Sequence, residues 1–421
     1  MFRFIHTADV HLDSPLRSLA LRDPDLAELI GNATRRAFVR TIDLCLEEQV
    51  DALLIAGDLY DGDQTSMKTA RFLADQLHRL DAAGIRTFII RGNHDAVSRI
   101  TRELVFPSSV KVFGARAEMV SLDRAAGQFP VVVHGLSFAQ PHAPESLVGK
   151  YRPAVEGAVN IGLLHTSLAG APGHDLYAPC SLADLQATGF DYWALGHVHK
   201  RAVLEAGGAV VMPGMPQGRD INEAGAKSVT LVTIDDSRKI HIEERPTSIA
   251  QFERVTIDAT GLDDWRDLVA AIARALEAER QAADAEHLVT RLKVTGATSL
   301  AWRIRRDIDL LKAEADQRAA LVGACWVEKL DIACDPPGRT SEGSADPLAE
   351  LHRLMTGEIL GSETFQAELA AMAEELRGQL PAECRDVLGR DEATFRAILA
   401  RLAEDGAKAA MARLEAAGES V

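Results

Sequence analysis

Short apolar runs in the first 200 residues repeatedly end at aspartate, histidine or asparagine, and this recurrence limits the folds open to the chain. The first three runs have strand length and alternate with helical patterns over residues 32–49 and 66–83. A β-α-β-α-β beginning predicts a sheet with helices on its faces. Ligands bind at the carboxyl ends of strands in open α/β sheets, so the polar ends of these runs predict a site. The polar residues there are Asp9, His11, Asp58, Asp61, Asn93, His94, His165, His197 and His199.

The segment DYWALGHVHKR shows this pattern in its densest form. Its apolar run stops at Gly196 and is followed by His197 and His199. Alternate residues of an extended backbone share a face, so both imidazoles can point toward the same bound ligand or site. Glycine allows a backbone to approach a ligand closely, and Gly57 and Gly92 precede two further clusters in the same way.

The types of ligand predict the class of metal. Imidazole, carboxylate and amide oxygen without thiolate suit manganese, iron or zinc better than calcium. The candidates are too many for one ion and fit two ions that share a bridging carboxylate. Two such ions clamp a phosphorus centre, convert a bridging water to hydroxide for in-line attack, and neutralise charge on the phosphate oxygens. The residues therefore predict two-metal hydrolysis of a phosphoester.

A set of five motifs resembles the calcineurin-like metallophosphoesterases: D-x-H, G-D-x-x-D, G-N-H-D, a lone histidine after a strand, and G-H-x-H, in this order. FIHTADVHLDSP, GDLYD and RGNHD are more narrowly similar to the SbcD-type DNA repair nuclease subunits. The segment PGMPQGRDINEAGAKSV, residues 213–229, is most similar to the YhaO-like exonuclease group within them. The resemblance covers roughly residues 1–250. It implies an α/β fold, the calcineurin-like metallophosphoesterase sandwich of mixed sheets flanked by helices.

The resemblance also implies a role for each candidate residue. The implied ligands are Asp9, His11 and His199 for the first ion, Asn93, His165 and His197 for the second, and Asp58 as the bridge between them. His94 would act as general acid on the leaving oxygen or stabilise charge there, and Asp61 would orient His94. His134 also follows an apolar run and is the alternative to His165. Arg219, Asn222 and Lys227 fit a substrate groove and a polar turn equally well.

The pattern changes after about residue 250. A second, smaller β-α-β-α-β unit has helices predicted over 264–284 and 299–319, a linker-like segment follows, and the remainder is helical with a break at Pro381. The predicted domains are a metallophosphoesterase (nuclease) domain at 1–250, a small α+β capping domain at 251–334, a linker at 335–347 and a helical C-terminal region at 348–421.

Composition predicts a cytoplasmic protein without a membrane segment. The N-terminal residues lack the apolar core of a signal peptide, and no later run reaches the roughly 18 apolar residues of a membrane span. The 5 cysteines form no C-x-x-C pair, which fits a reducing compartment.

The resemblance implies a Mn²⁺-dependent DNA phosphodiesterase of the double-strand-break repair type, an exonuclease or endonuclease. Fe or Zn would be alternative metals. Two other functions stay open: a phosphoesterase acting on a small molecule or a protein, and a non-catalytic scaffold, although the complete ligand set argues against the scaffold. The net charge of −16 neither supports nor excludes DNA.

The resemblance further implies a separate SMC-like coiled-coil ATPase as partner, since no P-loop motif occurs in the chain, and it allows a homodimer. Residues 341–421 carry 16 acidic and 8 basic residues, a net charge of −8, which would repel phosphates. Apolar residues of this region recur at helical spacing, for example Phe395, Leu399 and Leu402. Such stripes need a covering surface, which either the partner protein or the chain itself would provide.

Overall fold

A computed structural model describes residues 1–14, 24–61, 66–96, 105–168, 177–205, 207–337 and 347–418. The chain divides into two compact units. Unit 1 comprises Met1–Arg254, Arg280–Thr290 and Ala324–Glu328, and unit 2 comprises Val255–Glu279, Arg291–Gly323 and Lys329–Val421. Most of the predicted linker at 335–347 lies outside the described residues.

The strands and α-helices of the described residues are numbered here in chain order. The strands are β1 (Phe2–Thr7), β2 (Ala52–Ala56), β3 (Arg86–Ile90), β4 (Val110–Val112), β5 (Glu118–Leu122), β6 (Val131–Gly135), β7 (Val159–His165), β8 (Tyr192–Gly196), β9 (Ala202–Glu205), β10 (Ala209–Met212), β11 (Ser228–Ile234), β12 (Ile240–Pro246), β13 (Ala250–Asp258), β14 (His287–Ala297) and β15 (Cys325–Asp335). The α-helices are α1 (Pro24–Glu47), α2 (Met67–Ala82), α3 (Leu182–Gln186), α4 (Trp265–Ala282), α5 (Ala301–Arg306), α6 (Ile308–Val322), α7 (Pro347–Leu354), α8 (Glu363–Gln379) and α9 (Glu392–Gly418).

Two mixed sheets form the body of unit 1. Across the described residues, the first has the order β12-β11-β1-β2-β3-β4 and the second the order β5-β6-β7-β8-β10-β9. In the first sheet β1 to β4 run parallel, whereas β11 and β12 add an antiparallel edge. In the second sheet β6, β7, β8 and β10 run parallel between antiparallel edge strands.

The inner faces of the two sheets pack against each other. Phe4 and Phe88 of the first sheet and Ile161 and Tyr192 of the second belong to one buried cluster. Ile5, which follows Phe4 in β1, joins the cluster on the opposite face, where α1 and α2 cover the sheet. This alternation is the period-2 arrangement of a strand. The predicted α/β sandwich of mixed sheets flanked by helices is confirmed.

The two helices on the first sheet match the predicted pattern, with one difference in length. The helix predicted over 32–49 extends from Pro24 to Glu47, and its buried residues include Ala37, Phe38 and Ile42. The helix predicted over 66–83 spans Met67–Ala82. Apolar spacing identified both helices. The first turns of α1, before residue 32, lie outside the segment in which apolar residues recur at helical spacing.

The apolar runs in the second half of the first domain have shorter connections in the sequence, which predicts a more antiparallel arrangement there. This prediction is wrong for the centre of the second sheet. β6, β7 and β8 are parallel neighbours. Parallel neighbours need crossovers of a dozen or more residues. Among the described residues, the crossover from β6 to β7 has no α-helix and the crossover from β7 to β8 has the short helix α3. Hydrophobic periodicity does not reveal such a crossover.

The chain after Ala250 follows the predicted order of strands and helices, and its strands form a sheet of order β13-β14-β15. The helix predicted over 299–319 is in fact two helices, α5 and α6, which meet at Asp307. Asp307 has φ −105° and ψ 33°, outside the α-helical region. Aspartate favours caps and turns over helix interiors, which explains the break.

The helical region of unit 2 covers part of its own apolar surface. Phe395 and Leu399 of α9 pack with Ala373 of α8. At the other end of α9, Met411 packs with Trp302 of α5. The intramolecular alternative for the apolar stripes therefore holds for these residues.

Candidate metal centre

The candidate ligands of unit 1 sit at the carboxyl ends of parallel strands from both sheets. Asp9 and His11 follow β1, Asp58 follows β2, and Asn93 follows β3, all in the first sheet. In the second sheet, the ligand set continues with the final residue of β7 and two residues just beyond β8, namely His165, His197 and His199. Strand order therefore brings sequence-distant residues to one edge of the sandwich.

The loops that carry these side chains have unusual backbone conformations. Asp9, His11, Asp58 and His197 all have positive φ, at 52°, 46°, 52° and 100°. Positive φ is uncommon for residues other than glycine, and such strain concentrates at functional sites. The backbone N–H of His11 donates to the carbonyl of Asp58 at 3.1 Å, which ties the first two loops together.

Three glycines make room for His165 and its neighbours. A Cβ at Gly57 would overlap His165 Nδ1, and a Cβ at Gly92 would overlap both Asp58 Oδ1 and His165 Nε2. At Gly196 a Cβ would overlap the carbonyl oxygen of Ala56. The glycines before the polar clusters are thus required by close packing around one imidazole.

Asp9, His11 and His199 form the first ligand group, with donor atoms within 4.8 Å of one another. His11 Nδ1 donates to Asp61 Oδ1 at 2.7 Å. Its Nε2 is buried and has no hydrogen-bond partner among the described residues. His199 Nδ1 donates to Glu223 Oε1 at 2.9 Å. Outer carboxylates that bind one imidazole nitrogen direct the other toward a metal, so this group fits a divalent cation.

Asp58, His165 and His197 form the second group, and all three are buried. His165 Nδ1 donates to the carbonyl of Ala56 at 2.9 Å. Its Nε2 lies 3.0 Å from Asn93 Oδ1 and 3.3 Å from Asp58 Oδ2. The group thus presents imidazole, carboxylate and amide donors to one point, as a nitrogen- and oxygen-liganded transition ion requires.

Burial and mutual charge shift the pKa values of these groups. Burial raises the pKa of Asp9 and lowers the pKa of His11. Burial also disfavours the charged forms of His165 and Asp58, but the attraction between the His165 imidazolium and the Asp58 carboxylate outweighs this effect of burial. The pKa of His165 rises to about 9, and the pKa of Asp58 falls below its usual range. Metal binding to such a site displaces protons from its ligands.

Two family models match separate parts of the chain. Residues 2–201 match the model of the calcineurin-like phosphoesterase family. Residues 2–201 form a calcineurin-like phosphoesterase domain. Residues 252–335 match a second model, the middle domain of the metallophosphoesterase YhaO. This phosphoesterase family uses divalent metals, and the two ligand groups are candidate sites for them.

Three relatives show which proteins this chain resembles. The uncharacterized metallophosphoesterase YhaO of Bacillus subtilis (strain 168) is 35% identical over 258 residues, covering 61% of this chain and 63% of that protein. The DNA double-strand break repair protein Mre11 of Sulfurisphaera tokodaii is 27% identical, covering 58% and 63%. Mre11 of Methanopyrus kandleri is 26% identical, covering 60% and 54%. The matched part therefore spans less than two thirds of each relative.

Within the calcineurin-like phosphoesterase domain, His94 and Asp61 lie beside the ligand groups. His94 Nδ1 is 3.0 Å from Asp61 Oδ1, and the His94 side chain is 45% exposed. The hydrogen bond to Asp61 raises the pKa of His94. Asp61 also accepts from His11, so one carboxylate orients a candidate acid and a candidate ligand. The predicted ligand and catalytic roles stay predictions.

The alternative histidine lies elsewhere in the phosphoesterase domain. His134 is buried within β6, its Nε2 lies 3.0 Å from Asn160 Oδ1, and its ring packs 4.3 Å from Phe190. The structure therefore brings His165, and not His134, to the other candidate ligands.

Two carboxylates of unit 1 that contact the candidate site were not predicted from the sequence. Glu223 accepts from His199 and also from Arg219, whose Nη2 is 2.6 Å from Glu223 Oε1. Asp95 accepts from the backbone N–H groups of Gly92 at 2.6 Å and Leu59 at 3.0 Å. Asp95 thereby fixes the loops that carry Asn93 and Asp58. The only sequence signal for Glu223 is its place in the 213–229 segment.

Among the helices that the structure describes, none combines the length and apolar character needed to cross a bilayer.

Proposed function

We propose that the chain is a two-metal phosphodiesterase that hydrolyses DNA, with Mn²⁺ as its metal. The observation that carries this proposal is the pair of adjacent ligand groups, which contain nitrogen and oxygen donors but no thiolate. Ligand sets of this kind suit Mn, Fe or Zn. Asp58 is the carboxylate proposed to be shared between the two groups.

Each residue has a defined task in this proposal. Asp9, His11 and His199 hold one ion, and Asn93, His165 and His197 hold the other. The bound pair would supply charge neutralisation and an activated water at phosphorus. His94 donates a proton to the leaving oxygen, and Asp61 holds the His94 ring in place through the 3.0 Å contact.

DNA is proposed as the substrate because two relatives are named as DNA double-strand break repair proteins, at 27% and 26% identity. The 35% identical YhaO protein is a metallophosphoesterase without an assigned substrate. A phosphoesterase acting on a small molecule or a protein is therefore the outcome against which DNA hydrolysis must be tested.

The test compares metal-stripped and Mn-reconstituted full-length protein on linear duplex DNA, single-stranded DNA and bis-p-nitrophenyl phosphate. We expect chelation to abolish hydrolysis of all three, and Mn²⁺ to restore it better than Ca²⁺ because imidazole ligands favour transition ions. Elemental analysis should give two ions per chain. Fewer than one ion under saturating Mn²⁺ contradicts the two-metal centre, whereas activity on the small diester alone contradicts only the DNA substrate.

We also propose that the protein acts in the cytoplasm and that residues 251–334 form a capping domain.

We further propose that the helical C-terminal region binds a separate coiled-coil ATPase of SMC type. Met372 and Leu376 of α8 are 69% and 53% exposed. Residues four apart lie on one helix face, so they form an apolar spot within a region of net charge −8. Such a surface suits a protein better than DNA.

Replacing both Met372 and Leu376 with glutamate should abolish co-purification with a co-expressed ATPase of this type, because it places charge in the proposed contact. Ala367 and Ala371 are exposed and four apart on the same helix, so glutamates there provide the matched control. Binding retained by the first variant, or lost equally in both, would rule out this surface.

A further inference from the structure

A cleft opens beside the first ligand group, within unit 1. Its volume is about 670 Å³, and His199 forms part of its wall. The other walls come from residues 200–201 after β8, from Glu244 of β12 and from the segment 213–228. The sequence predicted either a substrate groove or a polar turn for that segment. Ligand clefts typically measure about 300–1,000 Å³, so this one has room for a nucleotide.

The fold shapes the cleft through a glycine. Gly214 has φ +75°, a conformation that L side chains rarely adopt. A Cβ there would lie 3.0 Å from the carbonyl oxygen of His199 and 3.1 Å from the backbone nitrogen of Arg201. The 213–228 segment therefore packs directly against the residues that follow β8, and the cleft keeps a fixed position relative to His199.

Three cationic side chains line the cleft. Lys200 directly follows His199 and is exposed. Arg201 donates to Thr230 Oγ1 at 2.5 Å and lies 3.4 Å from Glu244. Lys227 is partly buried, and its Nζ donates to the carbonyl of Ala224 at 2.8 Å.

The acidic side chains of the cleft do not cancel this charge. Glu223 already accepts from His199 and from Arg219. Glu244 pairs with Arg201. Burial lowers the pKa of Lys227, and the nearby carboxylates of Glu223 and Glu253 oppose this shift and favour the charged ammonium. The three cationic side chains outnumber the two carboxylates of the cleft wall by one, which leaves an excess of positive charge suited to an anion.

We infer that this cleft binds the substrate strand at the nucleotide next to the scissile bond, with Lys200 and Lys227 on its phosphate. The inference rests on the proposed DNA phosphodiesterase function and adds a subsite to it. Because His199 belongs to both the ligand group and the cleft wall, the cleft adjoins the metal centre, and a strand bound at the metal centre can extend into the cleft. Lysine and arginine contacts to phosphate give affinity and register without base specificity.

The test uses the full Mn-loaded chain with Lys200→Met and Lys227→Met, singly and together, since methionine keeps much of the apolar stem without the charge. For a short single-stranded oligonucleotide we expect KM to rise roughly 10-fold for each lysine, the scale of a charged hydrogen bond. The slope of log affinity against log salt should become shallower by about one per lysine. For bis-p-nitrophenyl phosphate, which has no neighbouring nucleotide, the rise in KM should be several-fold smaller.

Lys239→Met is the matched control. Ser228, at the start of β11, lines the cleft, whereas Lys239 lies beyond the other end of this strand. Lys200→Arg and Lys227→Arg should recover most of the affinity, which separates lost charge from altered folding. Equal KM changes for both substrates, or an unchanged salt slope, would overturn the cleft assignment. A wild-type protein that hydrolyses only the small diester would overturn the DNA function together with the cleft, whereas wild-type oligonucleotide activity with insensitive lysine variants would overturn the cleft alone.

Discussion

Replacing His94 with alanine is expected to slow hydrolysis of an oligonucleotide by about 10²–10⁴-fold while both ions remain bound. The side chain is 45% exposed, so a substrate can reach it, and Asp61 holds its Nδ1 at 3.0 Å. This hydrogen bond raises the pKa of His94, which favours the protonated ring that a general acid requires. The measurement is kcat, taken together with metal content for each variant.

The leaving group separates proton donation from a structural effect. An alkoxide leaving from DNA needs a proton, whereas nitrophenolate is a stable anion, so His94→Ala should slow bis-p-nitrophenyl phosphate hydrolysis far less. His78→Ala, an exposed histidine on α2, is the control and should match the wild type on both substrates. A His94 variant that loses metal in proportion to its rate would reassign His94 as a ligand.

The candidate site could be predicted because its residues directly follow strands. Once β1, β2 and β3 are recognised, the carboxyl ends of parallel neighbours must meet, which places Asp9 near Asp58 without any structure. Glycine before the polar clusters was a second local signal, and the packing of Gly57 and Gly92 around His165 gives its physical reason.

The parts that could not be predicted depend on contacts between distant segments. Glu223 and Asp95 look like ordinary surface carboxylates in sequence, and only the tertiary structure brings Glu223 to His199 and Asp95 to the N–H of Leu59. The parallel order of the second sheet was missed for a related reason, because the described parts of its crossovers contain little helix. The break at Asp307 depended on one residue within an otherwise helical pattern.

Replacing Asp58 with asparagine is expected to lower metal affinity by more than about 100-fold, since even outer-sphere changes cost about 10–100-fold. Asp58 is buried, and it is the residue assigned to both ions, so both sites should weaken together. In the wild type the His94 backbone nitrogen donates to Asp58 Oδ1 at 3.0 Å. Asparagine keeps the size of the side chain and can still accept this hydrogen bond. The change therefore removes the charge with little loss of packing, and calorimetric Mn²⁺ titration measures its effect.

Asp13→Asn is the matched control for the Asp58 variant. Asp13 lies after β1, as Asp9 does, but it pairs with Arg35, whose Nε is 2.6 Å from Asp13 Oδ1. Asp13 belongs to neither ligand group. Its replacement should lower the unfolding temperature while two ions still bind with wild-type affinity. If Asp58→Asn also bound two ions at wild-type affinity, the shared-carboxylate centre would be refuted, because no charge would then be needed between the ions.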